Sequence, residues 1–218
     1  MVVPTSDGHL YGLAVSNGSI KWSYDKTEPD LTLRGNSSPL VSRDTVIVGF
    51  SNGTLVNLNV VTGELRWEVV VTQPQGRSEL ERIVDMDANP VLESGVIYVA
   101  TYQGNVAAVD QTTGVILWRR DMSVYGDLAT DGLYLYVADA VGKVLCLDLQ
   151  SGVTIWEQKQ LLYRHLSGTA VLGNSVIVGD FDGYIHWLAV TDGKLQARIR
   201  PSSSPQVSTP VVVDNVAY

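Results

Sequence analysis

A chain of 218 residues with 45% hydrophobic side chains has material for a well-buried core and too much of it for disorder. Its formal net charge of −8 excludes a nucleic-acid backbone as partner, because phosphate binding runs on clustered Lys and Arg. No apolar run is long enough to cross a bilayer as a helix, and no cleavable targeting signal is legible at the start of the sequence.

In chain order, Val2-Val3-Pro4 predicts the tail of a strand, followed by strands at Leu10–Val15 and Ile20–Tyr24. A long connector, Asp25–Gly35, leads to four short strands at Ser38–Val41, Thr45–Phe50, Thr54–Val60 and Glu64–Val71. The turns between them are polar or carry Gly, which makes an antiparallel meander. A second long connector, Thr72–Asp87, contains Arg77–Val84, the one stretch with room for a turn or two of helix. The meander recurs at Asn89–Leu92, Val96–Thr101, Asn105–Asp110 and Val115–Asp121, and twice more before Val207–Val213 and Val216–Tyr218 open another copy.

One pattern organises these copies: Gly, nine residues, Gly, three residues, Trp. It reads Gly8…Gly18…Trp22, Gly53…Gly63…Trp67, Gly104…Gly114…Trp118 and Gly142…Gly152…Trp156, and a fifth copy, Gly183…Gly193…Ala197, loses the Trp. The internal interval is fixed while the distance between copies varies from 38 to 51 residues, as expected of a rigid unit on variable connectors. Units of about forty residues with four strands each indicate an all-β fold, a β-propeller of four-stranded antiparallel blades. The expected division is a blade remnant at 2–24, blades at about 36–71, 88–121, 124–159 and 166–200, and the start of another at 207–218. The recurrent Trp is read as a packing anchor between blades. Unpaired strands at both ends would be adhesive edges, so the chain is expected to be part of a longer protein or half of a ring completed by a second copy.

Two faces follow from the up-and-down blade. The turns between third and fourth strands are short and uniform, including the Asn17 turn, whose N-x-Ser sequon is explained as a turn, like that at Asn52. The crossings from one blade to the next vary in length, and binding is expected on their side. Counting back five residues from Pro39 and from Pro90 lands on Arg34 and Asp85, so equivalent positions in adjacent blades carry opposite charges and are expected to be neighbours. Leu31 and Leu33, at i and i+2 of an extended segment, point the same way. These residues fit either a protein-docking site or an inter-blade ion pair with two leucines tucked under the rim.

Catalytic chemistry is not legible. His9, His165 and His186 lie in different copies without metal spacing, and Asp180-Phe181-Asp182-Gly183 resembles part of a calcium loop without its later ligands, so it is read as a turn. Cys146, the single cysteine, sits in the apolar run Val144–Asp148 and is read as a buried, inert thiol. No cofactor and no metal are expected.

Three segments carry a resemblance: Leu31–Pro39, Ser78–Asp87 leading into Pro90, and Val178–Trp187. In order and spacing the chain resembles the BamB family, lipoprotein subunits of the machinery that assembles β-barrels into the outer membrane of Gram-negative bacteria. The resemblance implies an eight-bladed periplasmic propeller, tethered to the outer membrane by an N-terminal lipid whose attachment cysteine is not in this sequence. It implies a non-enzymatic scaffold that binds a POTRA domain of the barrel-forming subunit BamA, with unfolded outer-membrane protein clients as further partners. The family's BamA-contact residues correspond to Leu31, Leu33, Arg34, Asp85 and Asp87, all matching in type. The blade motif is also shared with quinoprotein dehydrogenases, which would imply pyrroloquinoline quinone and calcium. That family stacks its cofactor between a Trp and an adjacent cysteine pair, and this chain has one cysteine.

Overall fold

The computed structural model describes residues 1–5, 8–26, 37–73, 84–86 and 88–218. Every regular element among them is a β-strand, and each sheet pairs its strands antiparallel in chain order. The first sheet has three strands, β1 (Val2–Pro4), β2 (His9–Leu13) and β3 (Ile20–Asp25). The second has four, β4 (Leu40–Ser42), β5 (Thr45–Gly49), β6 (Thr54–Asn59) and β7 (Leu65–Val70). The third comprises β8 (Val91–Glu93), β9 (Val96–Ala100), β10 (Asn105–Asp110) and β11 (Ile116–Asp121). The fourth comprises β12 (Ala129–Thr130), β13 (Tyr134–Ala138), β14 (Val144–Asp148) and β15 (Thr154–Gln158). The fifth comprises β16 (Ala170–Leu172), β17 (Ser175–Gly179), β18 (Ile185–Ala189) and β19 (Leu195–Ile199), and a hairpin of β20 (Val212–Val213) and β21 (Val216–Ala217) follows.

Both faces of the middle strands are buried, which explains their continuous apolar sequence. In β5, Val46 and Val48 pack toward the first sheet with Leu10 and Trp22, while Ile47 between them packs toward the third with Ile97 and Val99. Period-two alternation thus sends successive side chains into two different cores. Four apolar clusters, one between each consecutive pair of the five sheets, hold the array together.

The Gly–Trp interval has a direct physical meaning. The indole N–H of Trp22 donates to the carbonyl of Val60 in the next sheet (3.0 Å), and its ring lies on Gly63, where an added Cβ would come within 2.6 Å of it. Trp67, Trp118 and Trp156 repeat this with the carbonyls of Gln111, Leu149 and Val190 at 2.7–3.0 Å. Each Trp therefore packs on the turn of the following sheet, not its own. Across its own sheet, each faces a residue smaller than itself: Gly12, Asn57, Ala108 or Cys146. In the fifth sheet the sizes are exchanged, with Trp187 on the third strand opposite Ala197 on the fourth. The Trp missing from the fifth copy has moved across the ladder. At the same place in all five sheets the pairing of third and fourth strands shifts by one residue, a β-bulge.

One expectation needs adjustment. Regular pairing near the end of the chain covers only Val212–Val213, not Val207–Val213, because the Gln206 N–H is bonded to the Asp180 carbonyl (2.8 Å) and Pro210 has no N–H to donate. The helical turn considered for Arg77–Val84 lies outside the described residues apart from Val84, which forms a parallel bridge with Asn52.

Candidate functional site

The two faces of the array are built differently. On one, the turns between third and fourth strands of the second, third and fourth sheets share a single chemistry. The Asp110 carboxylate accepts the N–H groups of Thr112 and Thr113, Asp148 does the same for Gln150 and Ser151, and the Asn59 amide oxygen for Val61 and Thr62. These are self-contained Asx turns, and the Asp110 and Asp148 carboxyls are held below the usual range chiefly by the hydroxyls of Thr113 and Ser151.

On the other face, the crossings lean on the turns between second and third strands through backbone hydrogen bonds. Tyr102 donates to Asp85 (2.8 Å), Ala140 to Ser123 (2.8 Å), Tyr163 to Val141 (2.8 Å) and Phe181 to Arg164 (3.0 Å). Gly53 permits one such approach: the carbonyl of Thr72 would lie 2.2 Å from a Cβ there. Seven non-glycine residues adopt left-handed φ among those described. Arg43, Ser94, Asp214 and Asn215 occupy tight hairpins between first and second strands, whereas Gln103 (φ 49°), Tyr163 (63°) and His165 (49°) lie on the crossing face. Backbone held in this region costs energy and persists where surrounding structure fixes it, often at working surfaces.

Of the five residues expected to contact a partner, Leu31, Leu33, Arg34 and Asp87 lie outside the described residues. Asp85 is described, and its side chain is buried at 1% exposure. It is flanked by buried Val84 and Met86, the latter in the core between the second and third sheets. The Asp85 carbonyl, accepting the Tyr102 N–H, ties the end of this crossing to the third sheet.

Several features of this face were not legible beforehand. Tyr102 and Tyr125 stack with ring centroids 4.6 Å apart, and the Gln103 amide donates to the Tyr102 hydroxyl (2.8 Å). The Tyr125 phenol is pushed up to about 12, by burial first and then by its hydrogen bond with Tyr102. Asp180 is fully buried, and its carboxylate accepts from Arg164 Nε (2.6 Å), meets His186 Nε2 (2.8 Å) and accepts from the Tyr184 N–H (2.9 Å). Burial raises its carboxyl, but the His186, Tyr184 and Arg164 contacts together outweigh that and hold it below the ordinary range. With these bonds made, the Asp180–Gly183 segment is an ion-paired turn. Sequence signals existed only as separate letters, a lone His and an Asp in a turn.

The Cys146 thiol is buried and pushed up to about 12 by that burial and by Asp131, which keeps it protonated and unreactive. Among the described residues no three His, Cys, Asp or Glu side chains are grouped to hold a metal ion.

Successive four-stranded antiparallel sheets, packed face to face and locked by a Trp on the next sheet's turn, define a β-propeller array with an elaborated crossing face. The family model described as "Outer membrane protein assembly factor BamB" matches residues 1–158. Proteins of that name from Kangiella koreensis and Yersinia pestis are 40% and 36% identical over 89% and 99% of this chain. These alignments take in 50% and 55% of those relatives, so the chain spans about half the length of the curated relatives it matches. The crystal structure of BamB from Moraxella catarrhalis superimposes with a TM-score of 0.90 at 28% identity, over 98% of this chain and 64% of that one. The chain belongs to the BamB family. A europium-containing methanol dehydrogenase also superimposes, with a TM-score of 0.72 at 13% identity over 92% of this chain and 49% of that one, a likeness of fold alone.

Proposed function

We propose that this chain is a non-enzymatic scaffold of outer-membrane protein assembly, in the periplasm of a Gram-negative bacterium, and that it docks a POTRA domain of BamA on its crossing face. In the whole protein the array would form part of an eight-bladed ring tethered to the outer membrane by lipid. The observation that carries the reading is the family match, seated on a fold whose two faces differ as a docking disc requires. Leu31 and Leu33 supply apolar anchors, and Arg34 and Asp87 supply charge around them, the arrangement of a small hot spot within a polar rim. Asp85, being buried, positions the segment that leads to Asp87.

The test is capture of a purified BamA POTRA segment by the folded chain. Leu33→Ala and Arg34→Ala are expected to weaken binding about tenfold or more each, with thermal unfolding unchanged. Undiminished affinity in both folded variants overturns the docking site. The dehydrogenase reading requires dye-linked alcohol oxidation with added pyrroloquinoline quinone and calcium, and the buried, protonated Cys146 disfavours it.

A further inference from the structure

A second patch on the crossing face, at the fifth sheet, has the chemistry of a binding site of its own. Three guanidinium groups converge on one ring: Arg164, Arg198 and Arg200 lie 5.4, 5.2 and 5.3 Å from the centroid of Tyr184. Their duties differ. Arg164 is fixed by Asp180 and by Asp182 (3.1 Å), and so fixes the patch. Arg200 donates through Nε to the Asp182 carbonyl (3.0 Å). Arg198 has no carboxylate partner among the described residues, and both Arg198 and Arg200 are exposed. In a chain of net charge −8, this is a local cationic surface with unspent hydrogen-bond donors.

Beside it stand two displayed aromatics. Tyr163, at 80% exposure, is held outward by a left-handed backbone, and Phe181, at 56%, sits on the neighbouring turn with its ring edge-on to His165 at 6.0 Å. The Phe181 N–H bonded to the Arg164 carbonyl ties the aromatic and cationic halves together. Arg with Tyr or Phe on a rigid support is the composition of protein-recognition cores, where guanidinium groups take carboxylates and rings take apolar side chains.

We infer that this patch binds an extended acidic segment of another polypeptide, with carboxylates on Arg198 and Arg200 and an apolar side chain against Tyr163 and Phe181. Charge decides between a peptide and an anionic membrane surface. A sheet of headgroups would face the whole negatively charged molecule, whereas a peptide meets only the cationic spot, within about a Debye length of roughly 8–10 Å. The site is built on the fifth sheet, uses none of Leu31, Leu33, Arg34, Asp85 and Asp87, and does not depend on the docking proposed for them.

The test uses a fluorescein-labelled Gly/Ser peptide bearing two Glu and one Phe, titrated with the chain and followed by anisotropy. The expected result is saturable, salt-sensitive binding that the Lys-for-Glu peptide lacks. Arg198→Gln with Arg200→Gln should weaken it about tenfold, and Phe181→Ser about threefold. All three positions are exposed, so thermal unfolding should stay in place; should the arginine pair disturb it, Phe181→Ser decides. Absence of peptide binding, or binding indifferent to the variants, overturns the inference. So does co-sedimentation with phosphatidylglycerol vesicles that the arginine variants abolish.

Discussion

The two faces of this array are made from the same strands and solve opposite problems. On the turn face, connections between third and fourth strands are closed by their own Asx hydrogen bonds, and from the second sheet to the fifth the second glycine of the motif receives the indole of the preceding sheet. On the crossing face, connections satisfy one another across sheets, Gln103, Tyr163 and His165 take left-handed backbone outside any tight hairpin between first and second strands, and a carboxylate is buried under an arginine and a histidine. Uniform local chemistry makes the joints; mutually dependent chemistry shapes the face proposed here for docking. Stability should therefore respond most sharply to changes at the joints, and recognition to changes at the crossings.

The largest expected effect breaks a joint outright. Trp118→Ala removes an indole packed on the Gly152 turn and bonded to Leu149, and should cost about 3–5 kcal/mol, measured as a lowered midpoint in urea unfolding. A loss below about 1 kcal/mol would show that the joints are not what holds the sheets together. Next comes the crossing face. Asp180→Asn deprives Arg164 and His186 of their buried carboxylate and should cost about 3 kcal/mol. The same change should alter the acid limb. Because the folded carboxyl is depressed, its contribution is complete above the unfolded value near 3.8 and disappears as pH falls through the lower folded value. The Asn variant should therefore lose less stability than the parent below about pH 4. An acid limb identical in both proteins would argue against the ion-paired turn.

The smallest effect sharpens the comparison most. Gly18 and Gly63 hold the same motif position at φ 70° and 74°, yet a Cβ on Gly18 meets nothing within 4 Å while one on Gly63 meets Trp22 at 2.6 Å. Gly18→Ala should cost about 1 kcal/mol for the backbone alone, and Gly63→Ala about 2–3 kcal/mol. Equal losses would assign both glycines to turn geometry and none to the seating of the indole.

Much of the fold was legible because its determinants are local and recur: turn dipeptides, short apolar runs and a fixed Gly–Trp interval. What the interval could not reveal is that Trp22 serves Val60 and Gly63, some forty residues away, because that contact exists only once sheets stack. The exchange of Trp187 for the missing fourth-strand Trp was hidden for the same reason, since cross-strand opposition is a matter of register. The candidate site was legible more weakly. Loop length pointed to the crossing face, but Leu31, Leu33, Arg34 and Asp87 were singled out by resemblance, and Asp85 proves to be buried. The Arg164–Asp180–His186 contact joins a crossing to a turn and a strand, and exists only once those three elements have come together.

The indole joint has a direction: the first four sheets each offer a ring forward, and the second to fifth each receive one from behind. Severing the chain in the hairpin between first and second strands, as at Arg43 or Ser94, would leave all four rings in their seats, whereas a break between Gln150 and Val153 would loosen the Gly152 seat that Trp118 fills. New termini or inserted domains therefore belong at the hairpins between first and second strands, and a whole additional module could be spliced in only with its ring and its seat facing the same way round.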